Sequence, residues 1–405
     1  MARVEPPVEL IEDGLLLRPW QAADADAVHR ACQDPDIQRW TTVPRPYLPE
    51  HACGFVTDFS EAAWRDGTGA PFAVCDAATG ELLASCGLVV VTPALETGEI
   101  GYWVAPWARG RGVATRAVRV LARWAFDALR LRRLIWQAEI GNHASRLAAL
   151  RAGFRVDGEL RLAHPSPGGR PEAWVGSLLP ADLPAPQAPD APGAPGAPQA
   201  PGAPDPAGPG TLLARRAAVF GRPQPVLFAT VGDEELRLRP IEERDLDAIA
   251  ETCRDPDTAR WSTVPQPYQR AHAEGFKRDV ADLAWARGTG AYFTVADGDD
   301  RYVASVDLRI AAADPVQGSV GFMTAPHARG RGYMPAATAA LAAWGFTSLG
   351  LARVEWRALV GNTASRRVAE KVGFTMEGVA RAALPTRAGD RADAWVAALL
   401  PEDLA

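Results

Sequence analysis

The sequence predicts two tandem α/β domains, each a mixed β-sheet with helices on both faces. An apolar, aromatic strand at residues 98–104 leads through a turn rich in glycine and arginine into an amphipathic helix. The same turn and its flanking residues recur at 321–334, about 220 residues later, which indicates a duplicated domain. A proline-, alanine- and glycine-rich stretch at 184–210 separates the two copies. We therefore expect domains at 14–183 and 234–405.

The other elements follow from hydrophobic periodicity and turn residues. Residues 1–13 are expected to be a loose lead-in. In chain order, the first copy is predicted to contain a strand at 15–20, helices at 24–33 and 50–64, strands at 72–75 and 82–91, the central strand, a helix with an apolar face from 117 to 129, a strand at 134–140, a short helix, and strands near 156–162 and 173–178. In the second copy, residues 211–232 are expected to lead into a first strand at 236–240.

The separating stretch at 184–210 has proline at nearly every third position and almost no large apolar residue to bury. It is predicted to be a disordered, semi-rigid spacer of polyproline type, about 3.1 Å long per residue where extended. Glycine does not keep a strict period of three in this stretch, which excludes a collagen triple helix.

Composition narrows the functional classes. The chain has 405 residues, and its 47% hydrophobic and 23% charged residues are typical of a globular protein. A net charge of −6 argues against a general nucleic-acid binder. The five cysteines have no regular spacing, so we expect no disulfide framework and no metal site. The sequence shows no signal peptide and no membrane-spanning run, so a cytoplasmic protein without a membrane partner is expected.

The turn after the central strand has the chemistry of an anion site. Gly110 and Gly112 allow backbone N–H groups to approach an anion closely, and the following helix N-terminus favours negative charge. Arg109 and Arg111 add positive charge. The alternative is a tight strand-to-helix connection, which needs glycine but not paired arginines. The pattern favours a phosphate site.

Residues that follow the turn narrow the range of protein families that this sequence pattern fits. Asn142 and Ser145 open a short helix that ends before a Gly-Phe pair, and the second copy repeats these residues at the same spacing. With the turn, this order resembles the GNAT family of N-acetyltransferases, in particular its branch like the ribosomal-protein acetyltransferases RimJ and RimL. The matching signature residues are Arg109, Gly112, Ala114, Asn142, Ser145, Gly153 and Phe154, and in the second copy Arg329, Gly332, Asn362, Ser365, Gly373 and Phe374.

The resemblance implies acetyl-CoA as co-substrate, with its pyrophosphate on the turn. It assigns polarisation of the thioester carbonyl to a backbone N–H near Val104, and it assigns orientation of the pantetheine arm to Asn142 and Asn362. Capping of the following helix is the alternative role for both asparagines. The implied cofactor-binding residues are Val104, Ala105, Arg109, Gly110, Arg111, Gly112, Val113, Ala114 and Asn142, with Thr324, Ala325, Arg329, Gly330, Arg331, Gly332, Tyr333, Met334 and Asn362 in the second copy.

For catalysis, Glu99 on the central strand is the candidate general base, since it resembles a glutamate often found there in this branch. An outward-facing strand residue is the alternative. Many relatives use a tyrosine four residues before the Gly-Phe pair as general acid, but Ala149 and Ala369 occupy those positions. The remaining candidates near the thiol are Ser145 and Ser365.

The two copies differ at these positions. Ser319 replaces Glu99, and Met334 replaces Ala114. Asp307, which aligns with Gly87, could supply a base from the neighbouring strand. The alternative, which we favour from the sequence, is that the second copy is weaker or serves another role.

The sequence leaves the acceptor open. Trp40, Tyr47, Trp261 and Tyr268 could line an acceptor pocket or pack the loop onto the sheet. The acceptor amine could belong to a protein N-terminus or lysine, or to a small molecule. A tandem acetyl-CoA sensor or scaffold with little catalysis is the rival function.

Overall fold

The computed structural model describes residues 8–160, 172–183 and 209–404. The chain divides into two compact units. The first holds the described residues up to 183 together with 221–223, and the second holds 209–220 and 224–404.

Each unit is an eight-stranded sheet with helices. In the first, the strands are β1 (Leu10–Glu12), β2 (Leu15–Arg18), β3 (Ala70–Asp76), β4 (Leu82–Thr92), β5 (Thr97–Val104), β6 (Arg133–Glu139), β7 (Arg155–Leu160) and β8 (Ala173–Leu178). Its helices are α1 (Ala25–Cys32), α2 (Pro35–Trp40), α3 (Pro49–Gly54), α4 (Ser60–Asp66), α5 (Val113–Asp127) and α6 (His143–Ala152).

The second unit repeats this set with one additional helix. Its strands are β9 (Leu227–Val231), β10 (Glu234–Pro240), β11 (Gly290–Ala296), β12 (Tyr302–Ile310), β13 (Gln317–Thr324), β14 (Arg353–Leu359), β15 (Thr375–Pro385) and β16 (Arg391–Leu399). Its helices are α7 (Pro209–Phe220), α8 (Leu246–Arg254), α9 (Pro256–Trp261), α10 (Arg270–Gly275), α11 (Leu283–Arg287), α12 (Tyr333–Leu349) and α13 (Thr363–Val372).

Both sheets are mixed and have the same topology. The strand order is β1-β2-β3-β4-β5-β6-β8-β7 in the first unit and β9-β10-β11-β12-β13-β14-β16-β15 in the second. The central pair, β5–β6 or β13–β14, is parallel, and the other pairs are antiparallel. The predicted fold class is confirmed.

The first sheet is covered on both faces. Apolar side chains of α5 and α6 pack on one face, in a cluster that includes Ile100 of β5 and Trp136 of β6. Side chains of α1, α2 and α3 pack on the other face, in a cluster that Trp103 of β5 joins. Successive residues of β5 therefore point to opposite faces, as the pleat requires.

Most predicted elements are present, with three differences. Residues 10–12 form β1 on the sheet edge, so the loose lead-in is wrong there. The helix predicted at 50–64 is interrupted by a π-helical segment at Phe55–Phe59, between α3 and α4. The expected lead-in at 211–232 is wrong, because this region forms most of α7 and all of β9.

Helix α7 was not predicted, because it follows directly on the proline-rich stretch. It packs within the second unit, where the Phe220 ring lies 4.8 Å from the Trp285 ring and Arg216 Nε donates to the Leu349 carbonyl at 3.0 Å. The predicted spacer lies outside the described residues except for 209 and 210, with which α7 begins. The second unit thus includes elements N-terminal to residue 234.

Within the described ranges, no helix has the length and apolar character needed to cross a bilayer. All five cysteines are free thiols.

Candidate active site

The central parallel strands separate part-way along their length. Pairing between β5 and β6 ends at Ile100 and Trp136, whereas β5 continues to Val104. In the second unit, pairing between β13 and β14 ends at Val320, and β13 continues in the same way. A gap therefore opens in the middle of each sheet.

The N–H of Val104 faces this gap. The next residue, Ala105, donates its own N–H to the Leu83 carbonyl on the β4 side at 2.9 Å. Backbone N–H groups alternate in direction along a strand, so that of Val104 points toward β6. By the same argument, the N–H of Thr324 faces the second gap, because Ala325 donates to the opposite side.

The backbone groups of Ala105 and Ala325 are less available to bind a cofactor than the sequence predicts. Both are buried, and the N–H of each is bonded to the strand on the far side from the gap. Each carbonyl also accepts a backbone N–H three residues later, at 2.9 Å. A contact from either alanine would have to use the second lone pair of its carbonyl.

The glycine–arginine turn has open space around its backbone. Gly110 and Gly112 have φ of +76° and +68°, which is the left-handed region that glycine adopts without strain. A Cβ added at either would meet no atom within 4 Å. Gly112, the N-cap of α5, has no side chain to cap the helix, so within the described part of the chain the first N–H groups, including those of Val113 and Ala114, remain for an anion.

Arg109 is held by carboxylates. Its Nη2 lies 2.5 Å from Oδ1 of Asp34, the N-cap of α2, and its Nη1 lies 3.5 Å from Asp36. Burial alone would raise the pKa of Asp34, but Arg109 and the backbone N–H groups of Ile37 and Asp36 hold it below its ordinary value. The second unit repeats the pair with Arg329. These arginines fix the turn against a neighbouring helix.

The second arginine of the turn differs between the units. Among the described residues, no carboxylate lies within ion-pair distance of the exposed Arg111. Arg331 lies 3.5 Å from Glu234, which also accepts the Tyr333 hydroxyl at 2.5 Å. The positive charge beside the second turn is therefore partly neutralised.

Asn142 caps α6, since its Oδ1 accepts the N–H of Ser145 at 3.1 Å. Asn362 makes the same bond to Ser365. The capping alternative is therefore observed for both asparagines. No partner among the described residues engages the side-chain NH2 of Asn142, which leaves that group for a ligand.

Tyr102 is the residue that sequence reasoning missed. Its hydroxyl donates to the Ser145 carbonyl at 2.8 Å and accepts the Ser145 hydroxyl at 3.2 Å. Trp136 Nε1 also donates to Ser145 Oγ, at 3.1 Å. Burial raises the pKa of Tyr102, so this phenol keeps its proton at neutral pH. The available signal was the replacement of this residue by Phe322 in the second copy.

Glu99 lies on the opposite face of β5 from Tyr102. Tyr102 packs on the α5 side and Trp103 on the α1 side, so strand alternation puts Glu99 on the side of Trp103. It is half-buried and pairs in register with Val90 and Ile135. A carboxylate on one face of β5 and a Tyr–Ser pair on the other thus lie close to the point where the gap opens.

The four aromatic residues divide into two groups. Tyr47 and Tyr268 are each 5% exposed and belong to the core, as the packing alternative expected. The Trp40 ring lies beside Gly141, where a Cβ would be 3.6 Å from Cη2, and Trp261 lies beside Gly361 in the same way. Only the tryptophans adjoin the turn that precedes the capping asparagines.

Comparison with known proteins supports the duplication. A model of the acetyltransferase (GNAT) domain matches residues 14–155 and again 235–375. The chain belongs to the GNAT acetyltransferase family. The resemblance seen in the sequence is thereby confirmed for both domains.

Relatives of these GNAT domains include bacterial acetyltransferases. The putative ribosomal N-acetyltransferase YdaF of Bacillus subtilis is 43% identical over 63 residues, which are 16% of this chain and 34% of YdaF. The ribosomal-protein-serine acetyltransferase of Escherichia coli is 31% identical over 83 residues, 20% of this chain and 46% of that protein. The matched segments thus span less than half of either relative. The structure of Mycobacterium smegmatis RimJ in complex with CoA-disulfide has 21% identity and a TM-score of 0.40, covering 44% of this chain and 88% of RimJ.

Proposed function

We propose that this protein is an acetyl-CoA-dependent N-acetyltransferase that acts on a primary amine by direct attack. The acceptor amine belongs to a protein N-terminus or lysine, or to a small molecule. The observation that carries the proposal is the gap beside β5, which has Glu99 on one face, the Tyr102–Ser145 pair on the other, and an anion-binding turn at its end. Membership of the acetyltransferase family supports the choice of cofactor.

The residues present fit coenzyme A. In this proposal the uncapped N-terminus of α5 and the turn from Arg109 to Gly112 hold the pyrophosphate. The charge of Arg111 adds to that field, whereas Arg109 acts by fixing the turn to Asp34. The side-chain NH2 of Asn142 orients the pantetheine arm, and the gap between β5 and β6 receives it.

Glu99 accepts a proton from the acceptor's ammonium group, directly or through water, which leaves a nucleophilic amine. The N–H of Val104 donates to the thioester oxygen, where negative charge develops during attack. Bound acetyl-CoA supplies an activated acyl carbon and a thiolate leaving group. Glu99 therefore acts on the acceptor amine and the Val104 N–H on the thioester carbonyl, at different points along β5.

The Tyr102–Ser145 pair supplies the proton that the departing sulfur needs. The Ser145 hydroxyl turns its proton from Tyr102 to the sulfur and is reprotonated by the second proton of the attacking nitrogen, while Tyr102 positions Ser145 through its bond to the Ser145 carbonyl. The second domain keeps Ser365 and its bond from Trp356, but it has Phe322 in place of the phenol and Ser319 in place of Glu99. The first domain is therefore proposed as the main catalytic half.

A thiol-release assay with acetyl-CoA and a panel of amines tests the function, with calorimetry to measure cofactor binding. We expect two acetyl-CoA molecules bound per chain and turnover with at least one amine. Binding without turnover on any amine, including peptides with free N-termini, would contradict catalysis and favour the sensor or scaffold.

A further inference from the structure

The second domain carries charged side chains where the first has small or apolar residues. Beside Glu99 the neighbouring strands place Val90 and Ile135, whereas beside Ser319 they place Arg309 and Glu355. Two residues further along the central strand, Gly87 lies opposite Gly101 in the first domain, and Asp307 lies opposite Gly321 in the second. The loss of the carboxylate at position 319 is thus accompanied by two new carboxylates next to it.

Asp307 lies at the start of the second gap. Gly321 is the first residue of β13 beyond its pairing with β14, and a Cβ built on Gly321 would be 2.7 Å from Asp307 Oδ2. The carboxylate therefore lies over the strand at the point where the gap opens. It is on the face of Met323, whose sulfur contacts Cys253 of α8 at 3.9 Å, and this face corresponds to that of Glu99.

The surroundings of Asp307 suit a proton acceptor. Its Oδ1 is buried and lies 2.8 Å from Arg309 Nε, and the carboxylate lies over Gly321 at the opening of the gap. Tyr292 is its register neighbour on β11. Burial raises the pKa of Asp307 to about 6, against the opposing effect of Arg309.

Arg309 contacts this carboxylate, and Arg357 lies on β14, on the other side of the gap. The Arg309 side chain is 50% exposed. Arg357 is 47% exposed, and its Nε lies 2.5 Å from Glu355, which shares the face of Ser319 by strand alternation. Both carboxylates have an arginine partner, but Asp307 lies over Gly321, where the gap opens, whereas Glu355 lies beside Ser319 in the paired part of the strands, so Asp307 is better placed to receive a proton. Both arginine side chains are about half exposed, so an anionic group can reach them from solvent.

The geometry points to a second acetyl-transfer site in this domain, in which Asp307 takes the amine proton and the acceptor carries an anionic group besides its amine. This inference rests on the proposed function. The ammonium group gives one proton to Asp307, which releases it to solvent. The amine nitrogen then bonds to the acetyl carbon, the carbon–sulfur bond breaks, and the second nitrogen proton ends on the sulfur as free thiol.

The test uses the full chain with Glu99→Gln, so that the first domain is silenced. Turnover is compared on 5-aminopentanoate and on pentylamine, which differ by one carboxylate. We expect residual turnover that is at least about tenfold faster with 5-aminopentanoate. Adding Asp307→Asn should lower it about 10²-fold or more, while calorimetry still finds two acetyl-CoA molecules bound. Asp299→Asn, at an exposed loop position of the same domain, is the matched control and should change nothing.

Three results would overturn the inference. The first is a wild-type chain that turns over either amine but loses all activity with Glu99→Gln. The second is residual turnover that survives Asp307→Asn and is removed by Glu355→Gln instead. The third is equal residual rates on the two amines. A wild-type chain that acetylates no amine would instead refute the proposed function itself, and this inference with it.

Discussion

The turn before α5 offers the sharpest test of cofactor binding. Gly112 has φ of +68°, and a Cβ there would meet open space, so Gly112→Val introduces backbone strain without a steric clash. A β-branched residue in this conformation costs about 1–3 kcal/mol. If the turn shifts to relieve the strain, its N–H groups no longer converge on the pyrophosphate. We expect acetyl-CoA affinity at the first site to fall by about 5- to 150-fold.

Calorimetry on the full chain measures this effect, because the loss of binding at one domain lowers the number of acetyl-CoA molecules bound per chain. At ligand concentrations that saturate only the unperturbed site, the stoichiometry should fall from about two to about one per chain. Gly332→Val should do the same for the second domain, with an additional close contact because its Cβ would lie 3.3 Å from Val231. The double variant should bind no acetyl-CoA in that range.

Two controls separate strain at the site from general damage. Gly80 has φ of +74° and similarly open surroundings in the β3–β4 turn, so Gly80→Val introduces the same strain away from the site and should leave stoichiometry unchanged. Gly112→Asn should retain much of the binding, because asparagine tolerates left-handed φ. Unchanged stoichiometry in Gly112→Val would refute cofactor binding by this turn.

The remaining predictions concern chemistry and stability. Glu99→Gln should lower first-domain turnover about 10²–10⁴-fold near neutral pH with acetyl-CoA binding nearly intact, measured by thiol release and calorimetry. Tyr102→Phe should lower kcat in the first domain with little change in KM for acetyl-CoA, because Ser145 loses the partner that orients its hydroxyl. Phe220→Ala should reduce the free energy of unfolding of the second domain by about 3–5 kcal/mol, measured by denaturant titration, since this ring is buried against Trp285.

A specific result would contradict each of these three predictions. Turnover by residues 1–195 expressed alone that is unaffected by Glu99→Gln would remove this residue as the base. If Tyr102→Phe changed neither kcat nor its pH profile while Ser145→Ala abolished turnover, the phenol would be structural only. Leu213→Ala, at a position of α7 that is 73% exposed, is the control for Phe220→Ala, and an equal loss in both would contradict the packing argument.

The sequence determined the architecture of this protein. Alternating apolar residues in the strands, the helical spacing after Gly112 and the repetition of both patterns are local signals that each copy carries in full. The residues of the turn and Asn142 with Ser145 could also be proposed from the sequence, because an anion site at a helix start and a helix cap depend on backbone geometry within a few positions. Edge strand β1 and helix α7 were not found. A three-residue strand has almost no periodicity, and α7 is stabilised by contacts with residues more than 60 positions away.

Only the tertiary structure decided which side chains share a face of the sheet and where the central strands separate. Tyr102 and Ser145 are 43 positions apart, and strand register together with the packing of α6 brings their hydroxyl groups to 3.2 Å. The same register puts Asp307 over Gly321 and Glu355 beside Ser319. Sequence alignment of the two copies identifies the substitutions, but cross-strand neighbours are set by long-range pairing. Alignment of the copies already suggested Asp307, but its place over Gly321 and the place of Glu355 beside Ser319 are visible only in the folded sheet.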